Sequence, residues 1–283
     1  MMMTTRKTKK VCAGVGRTVL LTLFLVTAIL PLYWIFVTSL KNPKELYTFP
    51  LHYLPRHPTL AGYKSLFSFS NFGVYFKNSL LVSLGASFGA MVLSVLSGFA
   101  LSRLKAKKGK RVLELILYFS QTIPTFIIMV PLFTIFQKLG LFDKLWALSL
   151  VYIATVVAFS TIMSRSFFDK VPVSLEEAAM IDGCTTVQSL RHVILPITLP
   201  GMAAIFCFAF INIWNELFLA VMLLMSPDKM TVPVALNSFI SKAGISWDTM
   251  SAGIIIALLP TMIVFGIGQK YIVAGLTEGS VKE

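Results

Sequence analysis

The chain has 283 residues, 56% of them hydrophobic and 13% charged, with a mean hydropathy of +0.80. Soluble domains carry roughly a quarter charged residues, so an ordinary soluble fold is excluded and an integral membrane protein becomes the default. The net charge of +13 would point a soluble chain toward nucleic acid, but its distribution along the loops has another explanation and no nucleic-acid partner is expected.

Residues 1–17 form a basic segment with Arg6, Lys7, Lys9, Lys10 and Arg17, followed by an apolar run from Val19 to about Val37. That run is too long for a signal peptide and lacks a small-residue cleavage site, so it reads as a retained first span. Further spans are expected at roughly 79–101, 112–136, 145–163, 201–225 and 251–272. Each approaches the ~20 apolar residues that cross ~30 Å of hydrocarbon. The expectation is therefore an all-α polytopic membrane protein with six transmembrane helices, divided into a basic N-terminus (1–17), a membrane-spanning domain (18–272) and a tail (273–283).

Loop charges orient it. The segment 102–111 holds Arg103, Lys105, Lys107, Lys108, Lys110 and Arg111, and Arg165, Lys170, Arg191, Lys270 and Lys282 fall on the same side as the N-terminus. Most of the 25 basic residues thus share one side, which the positive-inside rule makes cytoplasmic, with both termini. Within the spans, Gly85 and Gly89 form a GxxxG pattern suited to close helix packing. Pro124, Pro131 and Pro260 are expected to kink their helices. Gln121 and Thr122, beside Pro124, are candidates either to line a cavity or to satisfy the backbone that the proline frees.

Between the fourth and fifth spans lies a polar island, Ser174 to Gly201. Ser174 and Glu177 have the spacing of a capping box, which predicts a helix from about Leu175. Gly183 permits a sharp turn, and a second helix is expected from Thr186 to about Ile194, stopped by Pro196. The island reads as a bent elbow, 174–196, too polar for lipid.

Glu177-Ala178-Ala179, three residues, Gly183, nine residues and Val193-Ile194-Leu195-Pro196 resemble the cytoplasmic loop signature of ABC importer permeases. Val193, where the family pattern has Ile, is the one departure. The resemblance implies the type I importer permease fold with a cytoplasmic coupling-helix elbow that docks on a separate ATPase subunit. It implies Glu176, Glu177 and Asp182 as charge contacts, Ala178, Ala179 and Met180 as apolar anchors, Gly183 as the bend, and Leu195-Pro196 as the elbow's end. The segment around 41–76, the AFINIWNELFLA segment (209–220) and the end from Gln269 to Glu283 resemble maltose-type carbohydrate permeases. That group implies an alternating-access importer of a di- or oligosaccharide or related polyol. Its implied partners are a second permease, two ATPases holding ATP and Mg, an extracytoplasmic sugar-binding protein and membrane lipid.

Glu216 is the one charge deep in a predicted span, and such a carboxylate normally faces a cavity or a polar partner. At helical spacing Asn212 and Glu216 share a face and Asn215 borders it. That face either lines a sugar pathway or joins two permease subunits. The outer segment 226–250 is expected to meet the substrate-delivering protein, and the tail to reach the ATPases. Cys12, Cys184 and Cys207 are widely spaced, and no metal-ligand or catalytic constellation stands out. No GxxxxGK[ST] occurs, so the chain does not itself cradle ATP. Neither a catalytic residue nor a cofactor of its own is expected, and an ion-coupled carrier or a scaffold is the alternative to an ATP-driven importer.

Overall fold

A computed structural model describes residues 2–69, 71–241 and 244–277, with side chains for 14–68, 71–240 and 245–271. The chain divides into two units, Met1–Ser70 with Phe239–Ile256, and Asn71–Ser238 with Ala257–Glu283.

In the first unit, α1 (Met2–Ser39) is one continuous helix. It starts well before the expected span; the side chains of Arg6, Lys7, Lys9 and Lys10 lie outside those described. Its apolar stretch Gly14–Ser39 has no buried residue in its most apolar window. A helix apolar on every side is at home in lipid. The following segment is ordered by specific bonds. Asn42 caps α2 (Pro43–Leu46), its side chain accepting from the Lys44 N–H at 3.0 Å. Before α3 (Ala61–Phe69), the Thr59 N–H donates to Leu40 O at 2.9 Å. A short hairpin, β1 (Ile240–Ser241) with β2 (Gly244–Ile245), accepts a bond from the Tyr47 hydroxyl at Ile245 O, 2.9 Å. The first residues of α13 (Trp247–Thr277) complete this unit, approaching so closely that a Cβ on Gly62 would lie 2.7 Å from Asp248 O.

The second unit is built on α4 (Phe72–Arg103), α7 (Leu145–Phe168) and α10 (Leu195–Trp214). The buried ridge of α4 is small and polar, with Ser83, Ala86, Ser87, Ala90, Ser94 and Gly98. In lipid, close approach and interhelical hydrogen bonds must supply what the hydrophobic effect supplies in water. Ser97 and Thr161 accordingly share a bond of 2.8 Å, and a Cβ on Gly98 would sit 2.8 Å from the Arg165 nitrogen. The two glycines of the GxxxG pattern differ: a Cβ on Gly89 would lie 2.8 Å from the Ile153 side chain on α7, whereas one on Gly85 would meet nothing within 4 Å. Gly85 stands off the ridge that Ala86, Ala90 and Gly98 form.

Two expected spans are broken. Residues 112–136 are not one helix but α5 (Lys107–Thr122) and α6 (Thr125–Lys138), bent by 91°. Pro124 donates no N–H and drives Ile123 out of the helical region, and both residues are extended, with ψ of 115° and 135°. Pro131 and Pro260, by contrast, lie inside continuous helices. Residues 201–225 are also interrupted, since α10 ends at Trp214 and α11 (Phe218–Leu223) starts afresh before α12 (Val232–Ser238). Counting the bent pair once, the described residues hold six stretches long and apolar enough to cross a membrane. The fold is that of an all-α multi-span membrane protein. Of the expected tail, 273–283, residues 273–277 continue α13, and 278–283 lie outside the described residues.

Candidate functional site

The elbow consists of α8 (Val173–Ile181), α9 (Thr186–Ser189) and a π-turn, Leu190–Ile194, leading into α10. The Ser174–Glu177 capping box does not form. Pro172 occupies the N-cap position with φ −57°, so the helix starts earlier and Ser174 already lies within its first turn. The capping box falls instead at the second helix: the Gln188 N–H donates to Thr185 Oγ1 and the Thr185 N–H to Gln188 Oε1, at 3.3 and 2.8 Å.

Between the helices, Gly183 takes φ +89°. The Cys184 N–H donates to Ala179 O at 3.0 Å and the Gly183 N–H to Met180 O at 3.1 Å, the paired bonds of a Schellman ending. Pro196 does not stop the second helix. The π-turn, with the Leu195 N–H bonded to Leu190 O, widens the coil where Pro196 supplies no donor, and the helix passes on into α10.

The elbow has two unlike faces. Its inner face is fastened to the bundle: Leu190 and Ile194 pack with Val95, Phe168, Val171 and Ile205 in one apolar cluster. Beside them Glu176 is buried, 5% exposed, and paired with Arg103 at the end of α4. The same guanidinium donates to Ser102 Oγ at 2.9 Å and to Phe168 O and Val171 O at 3.2 Å each, and it lies over the Phe99 ring. One arginine therefore ties α4, the end of α7 and the elbow together. A further set of charges surrounds it, with Arg165 bridging Glu114 at 2.7 Å and Asp169 at 3.0 Å.

Glu176 and Ala179, expected among the docking contacts, instead face this chain's own interior, Glu176 paired there with Arg103. Glu177, Ala178, Met180, Asp182 and Gly183 are exposed, Leu195 is half-buried and Pro196 is exposed. They share the outer face with Ile181, 86% exposed, and Val187, 73% exposed. Those two were legible only as apolar residues in a polar island.

The residues expected along a pathway are dispersed in their bonding. Asn212 and Asn215 are exposed and donate to carbonyls of their own helix, Phe208 O at 2.8 Å and Ile211 O at 2.7 Å. Glu216 does not share their face, since the helix ends before it. Its carboxylate accepts from the Tyr152 hydroxyl at 2.7 Å and from the Leu219 and Ala220 N–H groups at 3.2 and 3.3 Å, capping α11. This competition of a side chain for backbone donors accounts for the break in the fifth span. Tyr152, 2% exposed, was not singled out in the sequence. Gln121 and Thr122 are exposed, and Thr122 bonds Phe119 O at 2.8 Å, so neither shares a hydrogen bond with the others among the described residues.

At the opposite end of α7 a loop is pinned by Asp143, which has φ +58°. Its carboxylate accepts from the Met225 and Ser226 N–H groups at 3.0 and 3.1 Å, from the Ser226 hydroxyl and from Lys229 Nζ at 3.0 Å. Burial raises its pKa, but these bonds outweigh burial and hold it well below the usual carboxylate range.

A broken-span helical bundle with a braced, amphipathic elbow is the architecture of an importer permease. A solved bacterial ABC transporter chain involved in import of the acidic polysaccharide alginate shares it, with a TM-score of 0.80 and 25% identity over 91% of this chain and 95% of that one. The chain belongs to the family of binding-protein-dependent transport system inner membrane components, which matches residues 90–278. Among curated relatives, it is 36% identical to the sulfoquinovosyl glycerol transport system permease protein SmoH of Agrobacterium fabrum, covering 92% of this chain and 91% of SmoH. It is 34% identical to the trehalose transport system permease protein SugB of Mycobacterium tuberculosis, covering 93% and 96%. Membership makes the chain a transport component of a bacterial inner membrane and sets aside the ion-coupled carrier and the scaffold.

Proposed function

We propose that this chain is one permease subunit of an ATP-driven carbohydrate importer. It encloses a pore with a second, related permease and works by alternating access, while two separate ATPase subunits bind ATP and Mg. Its termini and elbow face the cytoplasm, and an extracytoplasmic binding protein delivers a di- or oligosaccharide or a related polyol. The relatives' sugar and glycoside substrates support the substrate class. The basic loops support the orientation.

The observation that carries the coupling role is the elbow's division into a bolted inner face and a free outer face of Glu177, Ala178, Met180, Ile181, Asp182 and Val187. Swinging a pore from 1:99 to 99:1 takes about 5.5 kcal/mol of differential binding, which only a stiff joint transmits. Gly183→Val tests this. A Cβ there meets nothing within 4 Å, so the substitution acts through backbone strain of about 1–2 kcal/mol at positive φ, distorting the bend without a clash. In reconstituted complexes we expect assembly to persist while sugar uptake per ATP hydrolysed falls. Unchanged uptake per ATP refutes the coupling role.

A further inference from the structure

The first unit contains a cavity of about 360 Å³, a size within the range of small-ligand sites, about 300–1,000 Å³. Trp34, Ile35 and Ile254 form apolar walls, Trp247 stands at its side, and Thr38, Lys41 and Glu45 contribute polar groups. Trp34 and Thr38 lie one turn apart on α1, and Lys41 stands two residues beyond its end.

Two of these groups lack what burial demands. Thr38 is 6% exposed, and its hydroxyl has no hydrogen-bond partner. Lys41 is 3% exposed; its ammonium donates to His52 O and lies 4.8 Å from the centre of the Trp34 ring, with no carboxylate at ion-pair distance among the described residues. Glu45, in the same cavity, receives the Arg56 N–H at 2.8 Å. A buried cation without a counter-charge and a buried hydroxyl without a partner are both costly. Both become satisfied by one oxyanion entering the cavity.

Position then selects the kind of anion. The apolar stretch Gly14–Ser39 ends beside Lys41, and Trp247 opens the apolar stretch Trp247–Tyr271. Tyr33, Tyr53 and Trp247 are exposed, and the Tyr33 hydroxyl donates to Tyr53 O at 3.2 Å; exposed aromatic residues of this kind are enriched at membrane–water boundaries. A soluble anion has no use for the apolar wall of Ile35 and Ile254. An anionic phospholipid uses both, with its phosphate at Lys41 and Thr38 and its chains leaving along the spans.

We propose that this cavity is a headgroup site for an anionic phospholipid such as phosphatidylglycerol. The proposal depends on the membrane setting and not on which solute is transported. The test is native mass spectrometry of the assembled transporter released from nanodiscs of mixed phosphatidylglycerol and phosphatidylcholine. Wild type should retain phosphatidylglycerol preferentially, Lys41→Met should weaken that retention about tenfold, and Lys41→Arg should preserve it. Thr38→Val should give a smaller loss in the same direction. Melting in pure phosphatidylcholine checks that each variant is folded. Equal retention of the two lipids by wild type overturns the proposal without recourse to any variant. Undiminished phosphatidylglycerol retention by folded Lys41→Met does so too, as does displacement of the lipid by soluble glycerol phosphate, which marks a site for a free anion.

Discussion

Removing either partner of the Arg103–Glu176 pair should have unequal consequences, and the inequality follows from the acceptors each retains. Their side chains are 18% and 7% exposed, so neither charge is readily rescued by water. Without the carboxylate, the guanidinium keeps Ser102 Oγ, Phe168 O and Val171 O. Glu176→Gln should therefore cost about 1–2 kcal/mol, the scale of one charge-assisted bond. Without Arg103, no other hydrogen bond or ion pair to Glu176 is present among the described residues, and the carboxylate is left in an apolar seat. Arg103→Met should cost about 3–5 kcal/mol, the scale of an uncompensated buried charge. The double substitution Arg103→Met with Glu176→Met should recover much of that loss, because apolar replacement of a buried pair is often near neutral. Thermal unfolding of the purified complex gives the stabilities, and sugar taken up per ATP hydrolysed gives the coupling. Equal losses for the two single variants, or strict additivity in the double, would refute the assignment of Arg103 as the bolt of the elbow.

Asp143→Ala should destabilise the complex by about 2 kcal/mol at neutral pH, since it removes a charge-assisted set of bonds. Because the folded-state pKa of Asp143 is depressed, this contribution is complete above the ordinary carboxylate pKa near 4 and is lost as pH falls through the lower folded value. The gap in melting temperature between wild type and Asp143→Ala should therefore hold steady from about pH 5 to 8 and narrow in stronger acid; a gap that narrows already at neutral pH contradicts the latch. Tyr152→Phe removes one bond to Glu216 and leaves its two backbone donors, so stability should drop by about 1 kcal/mol with the order of preference over a sugar panel unchanged. A reordered panel would return Glu216 to the solute pathway.

Composition and loop charge were sufficient for the membrane class, because the cost of burying charge in hydrocarbon acts on each residue wherever its neighbours lie. The Glu177–Gly183–Pro196 spacing located the elbow because its bend is local, set by one glycine at positive φ and the carbonyls three and four residues before it. Which face of the elbow is free was decided only by the tertiary structure. The inward-facing Glu176 depends on Arg103, some seventy residues earlier in the chain. The broken fifth span has the same origin: Glu216 abandons the helical face shared with Asn212 because Tyr152, from another helix, and the donors of α11 satisfy it better. Periodicity along a sequence reports where a side chain points in an unbroken helix. It carries no record of a distant partner whose hydrogen bonds make breaking that helix favourable.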